Sequence, residues 1–368
     1  MSGYEYTTLG GYNLHRNAVF RGDASVANQT VPFSQYDSQN PEDLWRYIDE
    51  FQKRIGAQVL AIPHNGNLSN GRMFSINRFD GQTPCDRELA EQRARLEPIV
   101  EVTQIKGDGE THPMLSPNDE FVDFDTWDKS NLNGTEAKTD DMLKGEYARE
   151  ALKTSLALEK DLGVNPFKFG MIGSTDSHTA MAAVEEDNFF GKHSGVEPGA
   201  HRWEHIVIKA PNPDFTNYGW QQASSGYAGV WATENTREAI FGNLDRIQIV
   251  KGWLNLDGST SEKVYDVVWS GDRKPEEDGK VPPVGNTVDI ANATWTNTNG
   301  APELIATWTD PGFDPKQSAF YYARVLEIPT PHWTAYEAKR FDITMSDDVP
   351  MITQERAYTS PIWCTPNL

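Results

Sequence analysis

Through the first two-thirds of the chain, apolar positions switch repeatedly between a helical period and short unbroken runs. In PEDLWRYIDEFQKRIG (41–56), Leu44, Tyr47, Ile48 and Phe51 fall on one helix face, and Gly56 marks the end. Asp37 or Ser38 stands where a cap would open this helix. The run AQVLAIP (57–63) has the length and composition of a buried strand, and it stops at His64. The pair recurs twice. RELAEQRARLEP (87–98) reads as helix before IVEVTQI (99–105) as strand, and EYAREALKTSLALEKDLG (146–163) as helix before FKFGMIGS (167–174) as strand. Helix, Gly or Pro, strand and polar cluster, three times over, predicts an α/β layer or barrel. Chemistry in such folds gathers at the carboxyl ends of strands. His64, the 106–113 loop and the pair Asp176/His178 all fall there.

From about residue 243 the texture changes. LDRIQIVKGWL, KVYDVVWS, NTVDIANATWT, ELIATWTD and FYYARVLEI are short β-branched and aromatic runs separated by Gly, Pro, Asp and Asn. They predict a β-rich region over 243–368, most simply a small sandwich, following an α/β domain over 1–242. The stretch SGDRKPEEDGKVPPVG (270–285) reads as a long loop between strands.

Composition narrows the function. A net charge of −21 over 368 residues disfavours nucleic acid and anionic membrane surfaces, both of which need basic patches. It does not bar a small anionic substrate, because a bound metal overrides the global field locally. Eleven tryptophans and sixteen phenylalanines argue for folded cores or clefts rather than disorder. The two cysteines, Cys85 and Cys364, fit no metal-ligand spacing and give no disulfide framework. No run is long enough for a membrane-spanning helix, so no membrane insertion is expected. MSGYEYTTLGG lacks the features of a secretory signal, so the chain as written reads as cytoplasmic.

Several residues could carry chemistry. His64, in IPHN, follows a buried strand, where a neutral imidazole serves either as a divalent-metal ligand or as a hydrogen-bonded loop residue. Asp176 and His178, two apart in STDSH, could chelate one metal, divide between metal and substrate, or be a capping aspartate and an unrelated histidine. Glu5 in GYEYT counts only in combination with these. In QIKGDGETHP, Lys106 could hold an anionic oxygen and His112 could act as general acid, although the segment also reads as a polar turn. His15 stands beside Arg16, a residue type suited to sulfate or phosphate. No GxSxG, Walker A, HExxH, paired CxxC or GxGxxG-after-strand pattern occurs. The chemistry that remains is hydrolysis by metal-activated water without a protein nucleophile.

The segments GGYNLHRNAVFR, VLAIPHNGNLSNGRMF, VEVTQIKGDGETHPMLSPNDEF, FKFGMIGSTDSHTA and RAYTSPIWCTPN resemble a bacterial PHP-like family (polymerase and histidinol phosphatase type) catalogued as domain of unknown function 3604. The resemblance implies a distorted α/β barrel with divalent metals (Zn, Mn or Fe), one or two in this chain. It implies hydrolysis of sulfate or of phosphate and phosphonate esters, with a small anionic ester as substrate. Position by position, Glu5 matches a metal-bridging glutamate, His64 a metal-binding histidine, and Asp176 and His178 the closing ligands. Arg16, Lys106 and His112 are implied only to lie near the substrate. Relatives open with an HxH strand and carry a longer insertion where Phe241, Gly242 and Asn243 make a direct join here. The expected barrel is therefore incomplete, and exported relatives would carry their signal ahead of the missing strand. The competing expectation is a non-catalytic, truncated relative acting as a binding or structural module. A glycan-binding role for the tryptophan-rich region rests on composition alone.

Overall fold

A computed structural model describes residues 2–8, 12–179, 181–183, 185–193, 195–224, 226–229 and 243–366. Strands β1 (Ser2–Tyr6), β2 (Arg16–Arg21) and β3 (Gln58–Pro63) form an antiparallel sheet in that order, with Glu5 opposite Asn17 and Arg16 opposite Pro63. Alternation sends Tyr6, Ala18, Phe20, Val59 and Ala61 to one face. The four-residue helix α1 (Ala24–Ala27) follows β2, and α2 (Pro41–Ile55) covers the apolar face with Leu44, Trp45, Ile48 and Phe51. Asn40, rather than Asp37 or Ser38, caps α2, its side chain accepting from the Glu42 amide. Pro41 fixes the first helical residue and leaves Asn40 extended at the cap. Asp37 instead bonds Ser34, and Ser38 bonds Asp43. Gly56 ends the helix at φ 69°, a conformation glycine adopts freely.

Helix α3 (Arg87–Leu96), capped by Asp86, leads into β4 (Ile99–Gln104), and β5 (Gly107–Asp108) folds back on the end of β4. After the short α4 (Asp140–Leu143), helix α5 (Ala148–Leu162) returns the chain to β6 (Gly170–Gly173), which pairs with β4 in parallel. The first amides of α5 have no side-chain cap. They donate to Gly109 O and Glu110 O, at 2.8 and 2.9 Å, which ties the helix to the loop after β5. The third strand is shorter than its apolar run, because Phe167 and Phe169 enter the core ahead of it.

Strands β7 (Ile206–Ile208) and β8 (Asn217–Tyr218) form a small antiparallel pair. Beyond them β9 (Leu244–Leu254), β10 (Thr260–Trp269) and β11 (Ala319–Glu327) form the centre of an antiparallel sheet. Next, β12 (Thr330–Pro331) and β13 (Ile352–Thr353) pair around helix α6 (Trp333–Phe341). Finally β14 (Arg356–Tyr358) and β15 (Ile362–Cys364) both return to β11.

This carboxyl-terminal part departs from the predicted strands. NTVDIANATWT makes a turn in which Asp289 accepts from Asn292, with one isolated bridge from Asp289 to Thr294. Asx turn chemistry there outweighs β propensity. ELIATWTD forms no strand either, and its Ile305 is exposed. A helix appears where only strands were expected, because His332 caps the Thr334 amide and Trp333 is wholly buried.

The fold is mixed α/β. Strands β3 and β4 lie side by side, and no ladder joins them among the described residues. Phe241 and Gly242 of the sequence join lie outside the described residues. One apolar core contains Val100 of β4, Leu152 of α5, Val250 of β9, and Phe320 and Tyr322 of β11. Helix α5 is thus packed between the parallel pair and the large sheet.

Candidate metal centre

The face of β1–β3 turned away from α2 follows from strand alternation. Arg16 and Ala18 point toward the helices, so His15 is directed the other way, as is Glu5 between Tyr4 and Tyr6. The backbone of His64 continues the ladder past β3, its amide donating to His15 O at 3.3 Å. Three side chains from three strand ends therefore converge. His15 Nδ1 lies 3.1 Å and His64 Nε2 3.2 Å from Glu5 Oε1, and the imidazole centroids are 5.6 Å apart in an edge-on arrangement.

Among the described residues, Glu5, His15 and His64 are the one group of three metal-ligating side chains whose ligand atoms all lie within 4.8 Å of one another. Burial pushes the Glu5 carboxyl up, but hydrogen bonds and charge from both imidazoles outweigh it and hold the group well below the carboxylate range. Burial also pushes His15 down, with His64 and Lys106 adding to the shift against Glu5. A neutral imidazole is the form that offers a lone pair. His64 Nδ1 is buried with no hydrogen-bond partner among the described residues, and so is Glu101 Oε1. Two imidazoles and a carboxylate make a donor set suited to a borderline divalent ion such as zinc, and these residues fit one.

A second polar group sits at the ends of β4 and β6. Asp176, in the left-handed region at φ 49°, accepts from Gln104 Nε2 at 3.0 Å and Lys192 Nζ at 2.9 Å, and is also ion-paired to Lys106. His178 Nε2 meets Asp176 Oδ1 at 3.2 Å and Lys192 Nζ at 3.1 Å, with its ring largely exposed. Burial pushes the Asp176 carboxyl up, yet the two ammonium groups hold it far below its usual range. Burial and the Lys106 charge bring Lys192 down to about 8. Glu101 is buried on β4 and accepts from the Ser174 hydroxyl. Burial raises its carboxyl, and His64, Asp176 and Lys106 all act on its charge.

Of the residues singled out in the sequence, the fold brings Glu5 and His64 into one triad and Asp176, His178 and Lys106 into the neighbouring ion-paired group. Arg16 is buried on the opposite face of β2, donating to Glu97 Oε1 at 2.8 Å. His112 has both ring nitrogens occupied. Nδ1 accepts from the Met114 amide at 3.1 Å, and Nε2 meets Asp128 at 3.3 Å. The sequence did not point to His15 as a member of the triad or to Glu101 as a buried carboxylate. His15 adjoins Arg16 in sequence, but a period of two sends adjacent strand residues to opposite faces. Glu101 is a lone carboxylate within an apolar strand run, which is a readable signal.

Beside Asp176 lies an open cavity of about 360 Å³ lined by Lys106, Lys192, His193 and Lys209, with Val207 and Ile208 as its apolar wall. Four basic side chains around one cavity stand out in a chain of net charge −21.

A family model described as "Protein of unknown function (DUF3604)" matches residues 1–244 and 242–366. No curated protein and no solved structure matches the chain.

Proposed function

The chain belongs to the DUF3604 family of proteins of unknown function, and from that premise and its site we propose that it is a metal-dependent hydrolase of sulfate, phosphate or phosphonate esters. The convergence of Glu5, His15 and His64 is the observation that carries this reading. A PHP-like barrel belongs to the same proposal, with the triad at its carboxyl face.

Glu5, His15 and His64 would hold the ion. A divalent ion there supplies Lewis acidity toward the ester and activates water. Lys106, Lys192 and Lys209 draw the anionic head of the substrate into the cavity and orient it against the chain's overall negative field. Asp176 fixes the Lys106 and Lys192 ammonium groups in place. Lys192, brought down to about 8, holds a proton suited to transfer to a leaving oxygen near neutral pH. In this reading Arg16 and His112 support the site through packing rather than by touching substrate.

Metal content of the purified protein and turnover of p-nitrophenyl sulfate, phosphate and phosphonate esters test the proposal. Zinc, manganese or iron should co-purify with the protein or restore activity. His15→Ala and His64→Ala should lose both metal and turnover, and Lys209→Ala should raise KM with little change in kcat. Wild-type protein that takes up none of these metals would sink the reading.

A further inference from the structure

A second cavity, of about 110 Å³, lies behind the first sheet among the start of α2, the 72–85 segment and the end of α5. Trp45, Phe79, Phe167, Leu14 and Leu158 supply apolar walls, and four arginines, Arg16, Arg72, Arg78 and Arg93, reach its lining. Three of them are already neutralised. Arg16 and Arg93 share Glu97 at 2.8 and 3.1 Å, and Arg78 is tied to Glu42 at 3.0 Å and to Asp86.

Arg72 differs. It has no ion pair among the described residues, gives one N–H to Phe79 O at 3.3 Å, and lies 3.9 Å above the Tyr12 ring centroid. A guanidinium carries five N–H donors. Stacking on an aromatic ring orients the planar fork while leaving its edge free for a carboxylate. Arg72 is thus a half-buried cation without an ion pair among the described residues, beside a ring-lined cavity whose one carboxylate, Glu42, is already tied to Arg78. An engineered apolar cavity of roughly 150 Å³ accepts benzene; this one, at about 110 Å³, is smaller and limits an occupant to a single ring with its carboxylate outside the apolar part.

We propose that this cavity binds a small aromatic monocarboxylate of benzoate size, its carboxylate on Arg72 and its ring between Trp45, Phe79 and Phe167. The site is independent of the metal triad, since Arg16 faces the cavity from the side of β2 opposite His15.

Cys85 provides the readout. It lines the cavity and is half-buried, whereas Cys364 lies on β15 away from it. In the full-length protein, benzoate should slow maleimide labelling of Cys85 saturably and leave Cys364 unchanged. Benzyl alcohol, the same ring without the charge, should protect at least tenfold less well. Arg72→Gln should raise the benzoate concentration for half-protection at least tenfold, Arg72→Lys less, and Leu158→Phe should abolish protection by filling the cavity. Far-ultraviolet circular dichroism and the urea midpoint check that each variant is folded. Equal protection by benzyl alcohol, an unaltered benzoate response in Arg72→Gln, or no protection of wild-type Cys85 overturns the proposal.

Discussion

Glu5 acquires its chemical character from two neighbours that lie 10 and 59 residues away in sequence. Replacing it by glutamine keeps the shape and removes the charge that balances a cation. Glu5→Gln should lower zinc affinity at least about tenfold, since even outer-shell partners of a metal site contribute that much. His112→Gln should leave affinity unchanged. Competition against a chromogenic chelator measures both. A different histidine contributes to the acid sensitivity of stability. Burial, aided by the Arg202 charge, brings His332 down to about 3. Above pH about 6.5 it is neutral folded or unfolded, so its contribution to stability is fully present. As pH falls from about 6.5 toward 3 the unfolded chain takes up a proton that the folded chain refuses, and stability is lost. His332→Asn preserves the α6 cap and removes this titration. The difference in urea midpoint between wild type and variant should therefore shrink or reverse on acidification from pH 7 to 4. A constant difference would refute this account.

The elements that present the site are built by local rules, and their caps can be tested singly. Gly56 ends α2 at φ 69°, with nothing within 4 Å of where a Cβ would stand. Gly56→Ala should thus cost about 1 kcal/mol from backbone conformation alone, and Asn40→Ala about 1 kcal/mol from the lost cap. Urea unfolding of each variant reads the loss. Neither change should alter metal content, because α2 packs on the face of the sheet opposite the triad. The three helix–strand pairs were legible because their apolar positions keep a period and end at glycine or at an N-cap. The strand expected in 286–296 was not, because Asp289 and the surrounding asparagines form turns whose geometry depends on side-chain hydrogen bonds.

Across the whole molecule, one buried polar network fastens α5 to the large sheet. Arg149, wholly buried, contacts Glu110 at 2.5 Å, Asp119 at 2.9 Å and Tyr322 at 2.8 Å, and Arg324 of β11 closes the group on Asp119 at 2.6 Å. Breaking such a network strands its remaining charges in the core. Arg149→Met should cost about 3–5 kcal/mol, and with an apolar core shared across the same contact, wild-type unfolding should show one coincident transition by near- and far-ultraviolet circular dichroism. Two separated transitions would mean that the two parts fold independently.

What the sequence determined by itself was the repeat of helix and strand, the mixed α/β class, and the strand ends where His64, Lys106, Asp176 and His178 stand. Those features depend on the order of residues along one chain, so periodicity and caps reveal them. The tertiary structure decided which of these residues meet. It placed His15 with Glu5 and His64, turned Arg16 to the opposite face, and held Asp176 between two lysines. The first two depend on strand register, where a one-residue change exchanges the faces, and the third on the packing of loops distant in sequence.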